Sequence, residues 1–368
     1  MTWPKIITFV VAIALIIGGA IWAYRIFEAP ESIESITDKW SQSGHADTAS
    51  ESWTHWDEDE PPVVPEACAK CHSLYGYLDY LGVDGSTAQQ VDATAQTGSV
   101  LYCNGCHNEP AHTLDSVIFP GDTEITGRGR EANCWRCHQG RTSTSTVNGA
   151  TAGIADDAVS EDLGFINVHY AIAAATRNGG DVNVGYQYEG QDYAGRYGHV
   201  ADYDVCTECH DPHSTAINPD ACAPCHSNVV NYGDLFDIRR SRTDYDGDGD
   251  TEEGILQEIN AFHETLYQAI QAYASDEIGA PIIYADSFPY WFVDNNGNGE
   301  ADDDEVNFGN QYSEWTPRLV RTTYTYHYIH EDPGAFTHNA EFVLQMLYDA
   351  ITDLGEVVSV ANEAFTRP

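Results

Sequence analysis

Between residues 206 and 226 the chain reads Cys206-Thr207-Glu208-Cys209-His210-Asp211-Pro212-His213 and then, after a short gap, Cys222-Ala223-Pro224-Cys225-His226. The unit C-x-x-C-H thus occurs twice in this stretch, and it occurs three more times upstream. The upstream copies are Cys68-Ala69-Lys70-Cys71-His72, Cys103-Asn104-Gly105-Cys106-His107 and Cys134-Trp135-Arg136-Cys137-His138. Together the five copies use all 10 cysteines, so that no thiol is left outside the pattern.

The spacing of this unit is that of a covalent haem attachment site. Two thiols three residues apart reach the two vinyl groups of one haem, and the adjacent His becomes an axial ligand of the iron. Zinc ribbons pair two C-x-x-C units, and five is an odd number; a disulfide framework needs no His after every second Cys. The sequence therefore predicts five covalently attached haems c. The attaching residues are Cys68, Cys71, Cys103, Cys106, Cys134, Cys137, Cys206, Cys209, Cys222 and Cys225, and the proximal ligands are His72, His107, His138, His210 and His226.

Each haem iron takes a second axial ligand, which is normally His or Met. Met is nearly unavailable, because the chain has only Met1 and Met346. Ten of the 15 histidines lie outside the motifs, enough for two on every iron, and the near absence of Met predicts low reduction potentials. Five of them lie near a motif or beside a predicted helix, and we expect these to be the distal ligands: His112, His169, His199, His213 and His338.

The other histidines are expected to have structural or solvated positions. His263, His327 and His330 lie on predicted helices. His327 and His330 share one helical face, since they are three residues apart. Either could be a distal ligand in place of one of the five named above. His45 and His55 lie in an acidic stretch and are predicted to be solvated.

Composition excludes some classes of protein. The 368 residues include 16 Lys and Arg against 58 Asp and Glu, a formal charge of −42, which argues against nucleic-acid binding because phosphate recognition needs clustered cations. Only three residues are Lys, namely Lys5, Lys39 and Lys70, and so acidic a surface is typical of proteins that work in high salt, where repulsion is screened. A hydrophobic content of 42% excludes wholesale disorder.

The first 27 residues predict a membrane anchor. Residues 6–24 carry no charge and are flanked by Lys5 and Arg25. At about 1.5 Å per residue such a helix nearly spans a hydrocarbon core of about 30 Å. The alternative is a cleaved signal peptide. Both interpretations place the rest of the chain outside the cytoplasm, periplasmic or extracellular, and the first makes it a single-pass protein of the cell membrane.

The rest of the chain divides into three predicted parts. Residues 28–66 are an acidic tether, residues 67–230 a pentahaem domain, and residues 231–368 a helical region without cysteine. Apolar residues recur at helical spacing from Ile255 to Tyr273, and Asn339 is a good N-cap for a last helix over about 340–354. The predicted fold class is mainly α with long irregular loops: a multihaem cytochrome c core plus a C-terminal helical region.

Two acidic stretches resemble calcium-binding loops, in which oxygen donors alternate along the chain and Gly occupies position 6. The stretch 294–305 has donors at positions 1, 3, 5, 9 and 12, whereas the stretch beginning at Asp244 has Ile255 at position 12 and needs another carboxylate, with Glu253 as the candidate. An acidic chain forms such loops by chance as well, but the glycine placement favours one or two structural Ca²⁺ ions. The candidate ligands are Asp244, Asp246, Asp248, Asp250, Glu252, Glu253, Asp294, Asn296, Asn298, Glu300, Asp302 and Glu305.

The stretch 206–226 resembles the doubled C-x-x-C-H module of multihaem cytochromes c. The residues 332–339, Asp-Pro-Gly-Ala-Phe-Thr-His-Asn, are similar to the His-Asn before a terminal helix in a wider multihaem group that includes ammonia-forming nitrite reductases and hydroxylamine oxidoreductases. The resemblance covers roughly residues 66–355 and implies that His169, His213 and His338 are distal ligands. The chain departs from the nitrite reductases, whose catalytic haem typically has Lys in place of the motif His, because no C-x-x-C-K occurs here.

The predicted function is electron transfer by a membrane-tethered pentahaem cytochrome, between a membrane quinol donor or redox protein and an extracytoplasmic acceptor. A second hypothesis is a reductase or oxidase of a small nitrogen or sulfur species, which requires one iron with an open position and nearby groups such as Arg177, Arg196 or Tyr324 to Tyr328. A third is a subunit of an extracellular cytochrome polymer, and a retained anchor argues against it. Spare histidines favour the carrier, because they make an open iron unnecessary.

Overall fold

The computed structural model describes residues 31–201, 203–361 and 364–368. Within them the chain forms short helices in its first two thirds and long helices near its C-terminus. The helices are α1 Ile33–Ser41, α2 Glu51–Thr54, α3 Glu66–His72, α4 Leu74–Tyr80, α5 Cys103–Cys106, α6 Glu109–Thr113, α7 Glu131–Trp135, α8 Thr144–Thr151, α9 Ala173–Asn178, α10 Cys206–Cys209, α11 Ile255–Tyr273, α12 Pro317–His330, α13 Ala335–His338 and α14 Ala340–Gly355. The prediction of a mainly α chain with long irregular connections is confirmed.

Strands are few and short among the described residues, and they form three antiparallel pairs. These are β1 Val63–Val64 with β2 Ala95–Gln96, β3 Val117–Phe119 with β4 Thr123–Ile125, and β5 Ile282–Tyr284 with β6 Trp291–Val293. In the last pair Ile282 lies opposite Val293 and Tyr284 opposite Trp291. This hairpin places Tyr284, Tyr290 and Trp291 against α12.

The main apolar core lies around α11, α12 and α14. The amphipathic spacing predicted for α11 buries Phe262, Leu266 and Ile270 completely, and the helix ends as predicted at Tyr273. Helix α12 begins after Thr316, whose hydroxyl accepts a hydrogen bond from the N–H of Leu319, and α14 begins after the predicted cap Asn339. The predicted C-terminal helices are therefore confirmed in type and place.

The same core extends into the region of the haem motifs. Trp135 of the third motif and Ile172, Val182 and Val184 belong to it together with Phe342 of α14. The apolar core thus joins residues on both sides of the predicted boundary at residues 230 and 231, and the boundary itself stays a prediction.

The stretch from residue 187 to residue 228 contrasts with this core. Of its described residues, which exclude Asp202, none is buried, although the stretch carries the fourth and fifth haem motifs. Its turns are held by local hydrogen bonds, such as the one from the N–H of Asp211 to the carbonyl of Ala216.

Residues 31–66 differ from the extended tether that their composition suggested. The indole N–H of Trp40 donates to the carbonyl of Leu101 at 3.0 Å, and Lys39 pairs with Asp211 at 2.9 Å. Trp53 is buried, and Trp56 packs against the ring of His72. Because its aromatic side chains find apolar partners, this acidic segment lies on the haem-motif region as a folded part of it.

In the described part of the chain, no helix combines the length and the apolar character that crossing a membrane requires. The predicted anchor, residues 1–27, lies outside the described residues.

Candidate haem-binding site

Each of the five motif histidines faces a second histidine ring. The centroid separations are 5.6 Å for His72 and His169, 6.2 Å for His107 and His213, 6.4 Å for His138 and His45, 6.5 Å for His210 and His338, and 6.3 Å for His226 and His199. With metal–nitrogen bonds of about 2 Å, a metal between two imidazoles holds their centroids about 6 Å apart. Four of the five pairs therefore have the separation that two axial ligands of one iron require, and the rings of His72 and His169 lie somewhat closer together.

The first pair shows how the chain orients these rings. The Nε2 atoms of His72 and His169 face each other at 3.3 Å, while Nδ1 of His72 lies 2.8 Å from the carbonyl of Ser52. A hydrogen bond at Nδ1 fixes the tautomer and leaves Nε2 free for a metal. Burial, with the charges of Arg141 and His72 nearby, lowers the pKa of His169 to about 4, so that this imidazole is neutral and able to ligate at neutral pH.

The same second-sphere arrangement recurs at other motifs. Nδ1 of His138 lies 2.8 Å from the carbonyl of Ala171, and Nδ1 of His210 lies 3.0 Å from the carbonyl of Thr215. His338 differs, because its Nδ1 lies 2.8 Å from a carboxylate oxygen of Asp332. Burial disfavours the imidazolium of His338, but the Asp332 carboxylate outweighs burial and raises the pKa of His338.

The second motif has two candidate distal ligands. The ring of His107 is 6.2 Å from His213 with nearly parallel planes, 14° apart, and 6.3 Å from His112 with planes 53° apart. His213 is held in place because its backbone N–H donates to the Asp211 carboxylate at 2.9 Å. His112 is exposed. His213 is therefore the better placed of the two, and both remain predictions.

His45 is the residue that sequence reasoning missed. We expected it to be solvated, yet it is half-buried and faces His138 of the third motif. The carbonyl of His45 accepts a hydrogen bond from the N–H of Leu101, which fixes the segment on the motif region. The tryptophans that flank His45 were the available signal, since three such side chains in a polar stretch indicate that it docks.

The cysteines are arranged as haem attachment requires. All ten are free thiols. The thiol of Cys71 donates to the carbonyl of Arg136 at 3.8 Å, which brings the first and third motifs together. The thiol of Cys206 donates at 3.4 Å to Glu131, on the helix that carries Cys134, which brings the third and fourth motifs together. Free thiol pairs with a facing pair of imidazoles beside each are the donor set that haem c needs, so the residues fit this cofactor.

The histidines predicted to be structural have protein partners. Nε2 of His263 lies 2.9 Å from the carbonyl of Tyr326, and its ring stacks on the Tyr326 ring. His327 is buried with Nδ1 3.2 Å from the Tyr284 hydroxyl, and burial lowers the pKa of His327 to about 3. His330 lies 3.3 Å from Asp286. None of these rings pairs with a motif histidine among the described residues.

The first acidic loop gathers carboxylates in two groups, one with the expected partner Glu253 and one with Glu258, which was not expected. Oxygen atoms of Asp244, Asp246 and Glu258 lie within 4.8 Å of one another, as do those of Asp246, Asp248 and Glu253. Burial and the neighbouring carboxylates raise the pKa of Glu253 to about 7. Neither group includes the predicted ligands Asp250 and Glu252.

Glu258 supplies a carboxylate at the end of the first loop, where the calcium-loop pattern has one and the sequence has Ile255. It is fully buried on the first turn of α11 and accepts hydrogen bonds from the N–H groups of Tyr245 and Asp246. Its position is fifteenth, counting from Asp244, where the loop pattern expects the twelfth, so the spacing alone did not reveal it.

The second acidic loop, residues 294–305, folds in the same way. The Asp294 carboxylate accepts from the N–H groups of Gly297 and Gly299 at 2.7 and 2.9 Å, as Asp244 does from Gly247 and Gly249. Glu305 accepts from the N–H groups of Asn295 and Asn296. Asn296 and Asn298 donate their amide N–H groups to Asp302, and Asn298 accepts the backbone N–H of Glu300.

The chain is similar in sequence to polyheme cytochromes of a bacterium. Over 365 residues the chain is 22% identical to the C-type polyheme cytochrome OmcB of Geobacter sulfurreducens, covering 83% of this chain and 46% of that protein. Over 381 residues it is 24% identical to the C-type polyheme cytochrome OmcC of the same species, covering 84% and 45%. The chain thus spans about half the length of these relatives. No family model and no solved structure matches it.

Proposed function

Because the chain is a multihaem c-type cytochrome, we propose that it transfers electrons through five haems c, each held by two histidines. The observation that carries this proposal is the set of five facing histidine pairs at 5.6–6.5 Å. Haem iron supplies a one-electron redox change, and two imidazoles on every iron leave no position for a substrate. His-only ligation also supports low reduction potentials.

The ligand pairing that we propose keeps four of the five predicted distal residues. His169, His199, His213 and His338 face motif histidines, and His45 takes the fifth place at the third motif. Hydrogen bonds at Nδ1 orient the motif rings of His72, His138 and His210 and the distal ring of His338, and leave their Nε2 atoms for the metal. Little reorganisation is then needed when an electron arrives, because the ligands are already fixed.

Contacts between motifs support a continuous route for electrons. Hydrogen bonds at Cys71 and Cys206 link the third motif to the first and fourth. The side-chain amide of Asn133, next to Cys134, donates to the carbonyl of Ala111, which lies just after the second motif. The N–H of Asn218, just before the fifth motif, donates to the carbonyl of Cys209, which links the fourth motif to the fifth. The third motif is therefore central in the proposed series.

Arg177 and Arg196, considered above for proton transfer at an open haem, are already committed to carboxylates. Arg177 binds Glu131 and Asp204, and Arg196 binds Asp204 at 3.1 Å. These ion pairs favour a structural role for both arginines and support the carrier over the reductase.

We propose that the haem domain lies outside the cytoplasm, where haem c is attached, and that residues 1–27 tether it to the membrane. Its partners would be redox proteins or a membrane quinol donor. We also propose Ca²⁺ as a second, structural cofactor of the acidic loops, where hard oxygen donors suit it and no redox change is needed.

Low-temperature EPR with near-infrared magnetic circular dichroism on the oxidised, purified holoprotein tests the proposal. Five low-spin haems with two nitrogen axial ligands are expected. One high-spin haem would contradict complete bis-histidine ligation and would restore the reductase hypothesis, to be followed by turnover assays with nitrite and hydroxylamine.

A further inference from the structure

The loop 294–305 contains a buried carboxylate that lacks a partner. Glu305 is 3% exposed. One of its oxygens, Oε1, accepts from the N–H groups of Asn295 and Asn296 at 2.7 and 3.2 Å, so the carboxylate faces the start of its own loop. The other oxygen, Oε2, is buried and has no hydrogen-bond partner among the described residues. A buried charged oxygen without a partner is costly, which indicates that a ligand completes this site.

In the first loop the equivalent carboxylate has a cationic partner from the protein. Glu258 occupies the place of Glu305 there, and Arg239 binds its remaining oxygen. In the second loop no Lys or Arg among the described residues forms an ion pair with Asp294 or Glu305. The position that a guanidinium fills in the first loop therefore calls for another cation in the second.

We propose that the loop 294–305 binds one Ca²⁺ and that this ion helps to fix the distal ligand of the first haem. The donors would be Asp294, Asn296, Asn298, both oxygens of Glu305 and the backbone carbonyl of Glu300. These are all hard oxygen ligands, and a bidentate carboxylate in a flexible loop suits Ca²⁺ better than the strict octahedral geometry of Mg²⁺. Gly297 and Gly299, with φ of 72° and 78°, allow the turns that bring these donors together.

Strand β6 connects this site to the first haem motif. The strand occupies residues 291–293, so that Asp294 begins the loop at one end and Tyr290 lies at the other. The Tyr290 hydroxyl is hydrogen-bonded to the Tyr170 hydroxyl, and the Tyr170 ring lies 4.5 Å from the ring of His169. An ion that holds one end of a three-residue strand restricts the other end as well.

The backbone around His169 has an unfavourable conformation, which contacts with neighbouring residues must stabilise. His169 and the nearby Ala171 have φ of 85° and 52°, a region that residues other than Gly rarely adopt. The N–H of His169 donates to the Asn167 side chain at 2.6 Å, and Tyr170 between them is held by Tyr290. Loss of the ion would therefore loosen the orientation of the His169 ring. This coupling rests on the proposed role of His169 as a haem ligand.

Calorimetric titration of Ca²⁺ into the chelator-treated holoprotein tests the site. Glu305→Gln keeps the size and the hydrogen-bond acceptor of the side chain but removes its charge, and we expect the affinity of one site to fall at least about tenfold. Asp294→Asn should do the same, so that a folding defect in one variant does not decide the matter. Asp304→Asn removes an equal charge at an exposed position of the same loop and should change the affinity less than about threefold. Equal affinity in Glu305→Gln and the parent would overturn the site.

EPR of the same samples tests the coupling. The signal of the first haem is assigned by its loss in His169→Ala, and it should shift or sharpen when Ca²⁺ is added to the parent. Tyr290→Phe removes the hydroxyl contact and should bind Ca²⁺ normally while losing this response. If the EPR signal of the first haem in the parent is the same with and without Ca²⁺, the coupling is overturned. A high-spin first haem with Ca²⁺ bound would instead contradict the proposed ligation, which separates the two failures.

Discussion

Residues 187–228 and residues 317–355 meet at the His210–His338 pair, yet they are built on opposite principles. The first region carries two haem motifs and has no buried side chain among its described residues. In the second, α12 and α14 bury most of their residues, including Tyr324, Tyr328 and Phe342 completely. Each large apolar side chain buried in this way contributes about 1.5–3 kcal/mol.

The difference shows where the stability of each region originates. The helical region supplies most of the side chains of the main apolar core, which it shares with Trp135, Ile172, Val182 and Val184. The region 187–228 has no fully buried side chain among its described residues, and we propose that its order comes from covalently attached haem and from the proposed ligands His199 and His338. Five sets of variants test this difference between the two regions.

Replacing Cys206 and Cys209 by Ser should have the largest effect, because it removes the cofactor attachment from the region without a core. We expect one haem fewer by intact mass, and protease cleavage within residues 187–228 at least about tenfold faster than in the parent. The matched control replaces Cys68 and Cys71, whose motif has its own small apolar cluster. Unchanged resistance of residues 187–228 would show that this region does not depend on its haem.

Phe342→Ala tests the helical region, residues 317–355. Phe342 is fully buried between Tyr193 and Tyr328, and its truncation should lower the free energy of unfolding by about 3–5 kcal/mol. Denaturant unfolding followed by far-UV circular dichroism measures the change, and the exposed Thr352→Ala should stay within about 0.5 kcal/mol of the parent. A small effect of Phe342→Ala would mean that the helices, too, rely on the cofactors.

His45→Ala tests whether the N-terminal segment, residues 31–66, supplies an axial ligand to a haem. Loss of the ring that faces His138 should leave one iron five-coordinate, and a high-spin ferric signal should appear in EPR. His55→Ala is the control, because this exposed ring pairs with Glu51 at 2.7 Å and faces no motif histidine. Five low-spin haems in His45→Ala would rule out the proposed pairing.

The second motif offers a sharper version of the same test. His213→Ala should generate high-spin iron, whereas His112→Ala should leave all haems low-spin, since His213 is held by Asp211 and His112 is exposed. The same EPR measurement on both variants distinguishes them. The reverse result would assign His112 as the ligand.

The smallest effect is expected where the two regions meet. Asp332→Asn keeps a hydrogen bond to Nδ1 of His338 but removes the negative charge that strengthens the ligand, so the reduction potential of the fourth haem should rise by an amount on the order of 50 mV. Spectroelectrochemical titration measures it. Asp286→Asn, an exposed carboxylate beside His330, should leave all potentials unchanged. An unchanged fourth haem in Asp332→Asn would show that the carboxylate only positions the ring.

The local features of this protein were predictable from short stretches of sequence. The attachment motifs are local because thioether geometry is satisfied within five residues, and the capped starts of α12 and α14 depend only on Thr316, Pro317 and Asn339. The turns of the two acidic loops are equally local, since Asp and Gly at fixed spacings close them.

The pairings between distant segments were decided by tertiary structure. His45 lies far from Cys137 in sequence, and only the docking of Trp40 and Trp53 brings it to the third motif. Glu258 completes the first acidic loop from a neighbouring helix at a spacing that no loop pattern contains. Which atoms can bind haem follows from the motifs alone, because that chemistry is covalent and local. Which histidine faces which motif depends on burial and packing among segments that are far apart in the chain, and this only the folded structure decides.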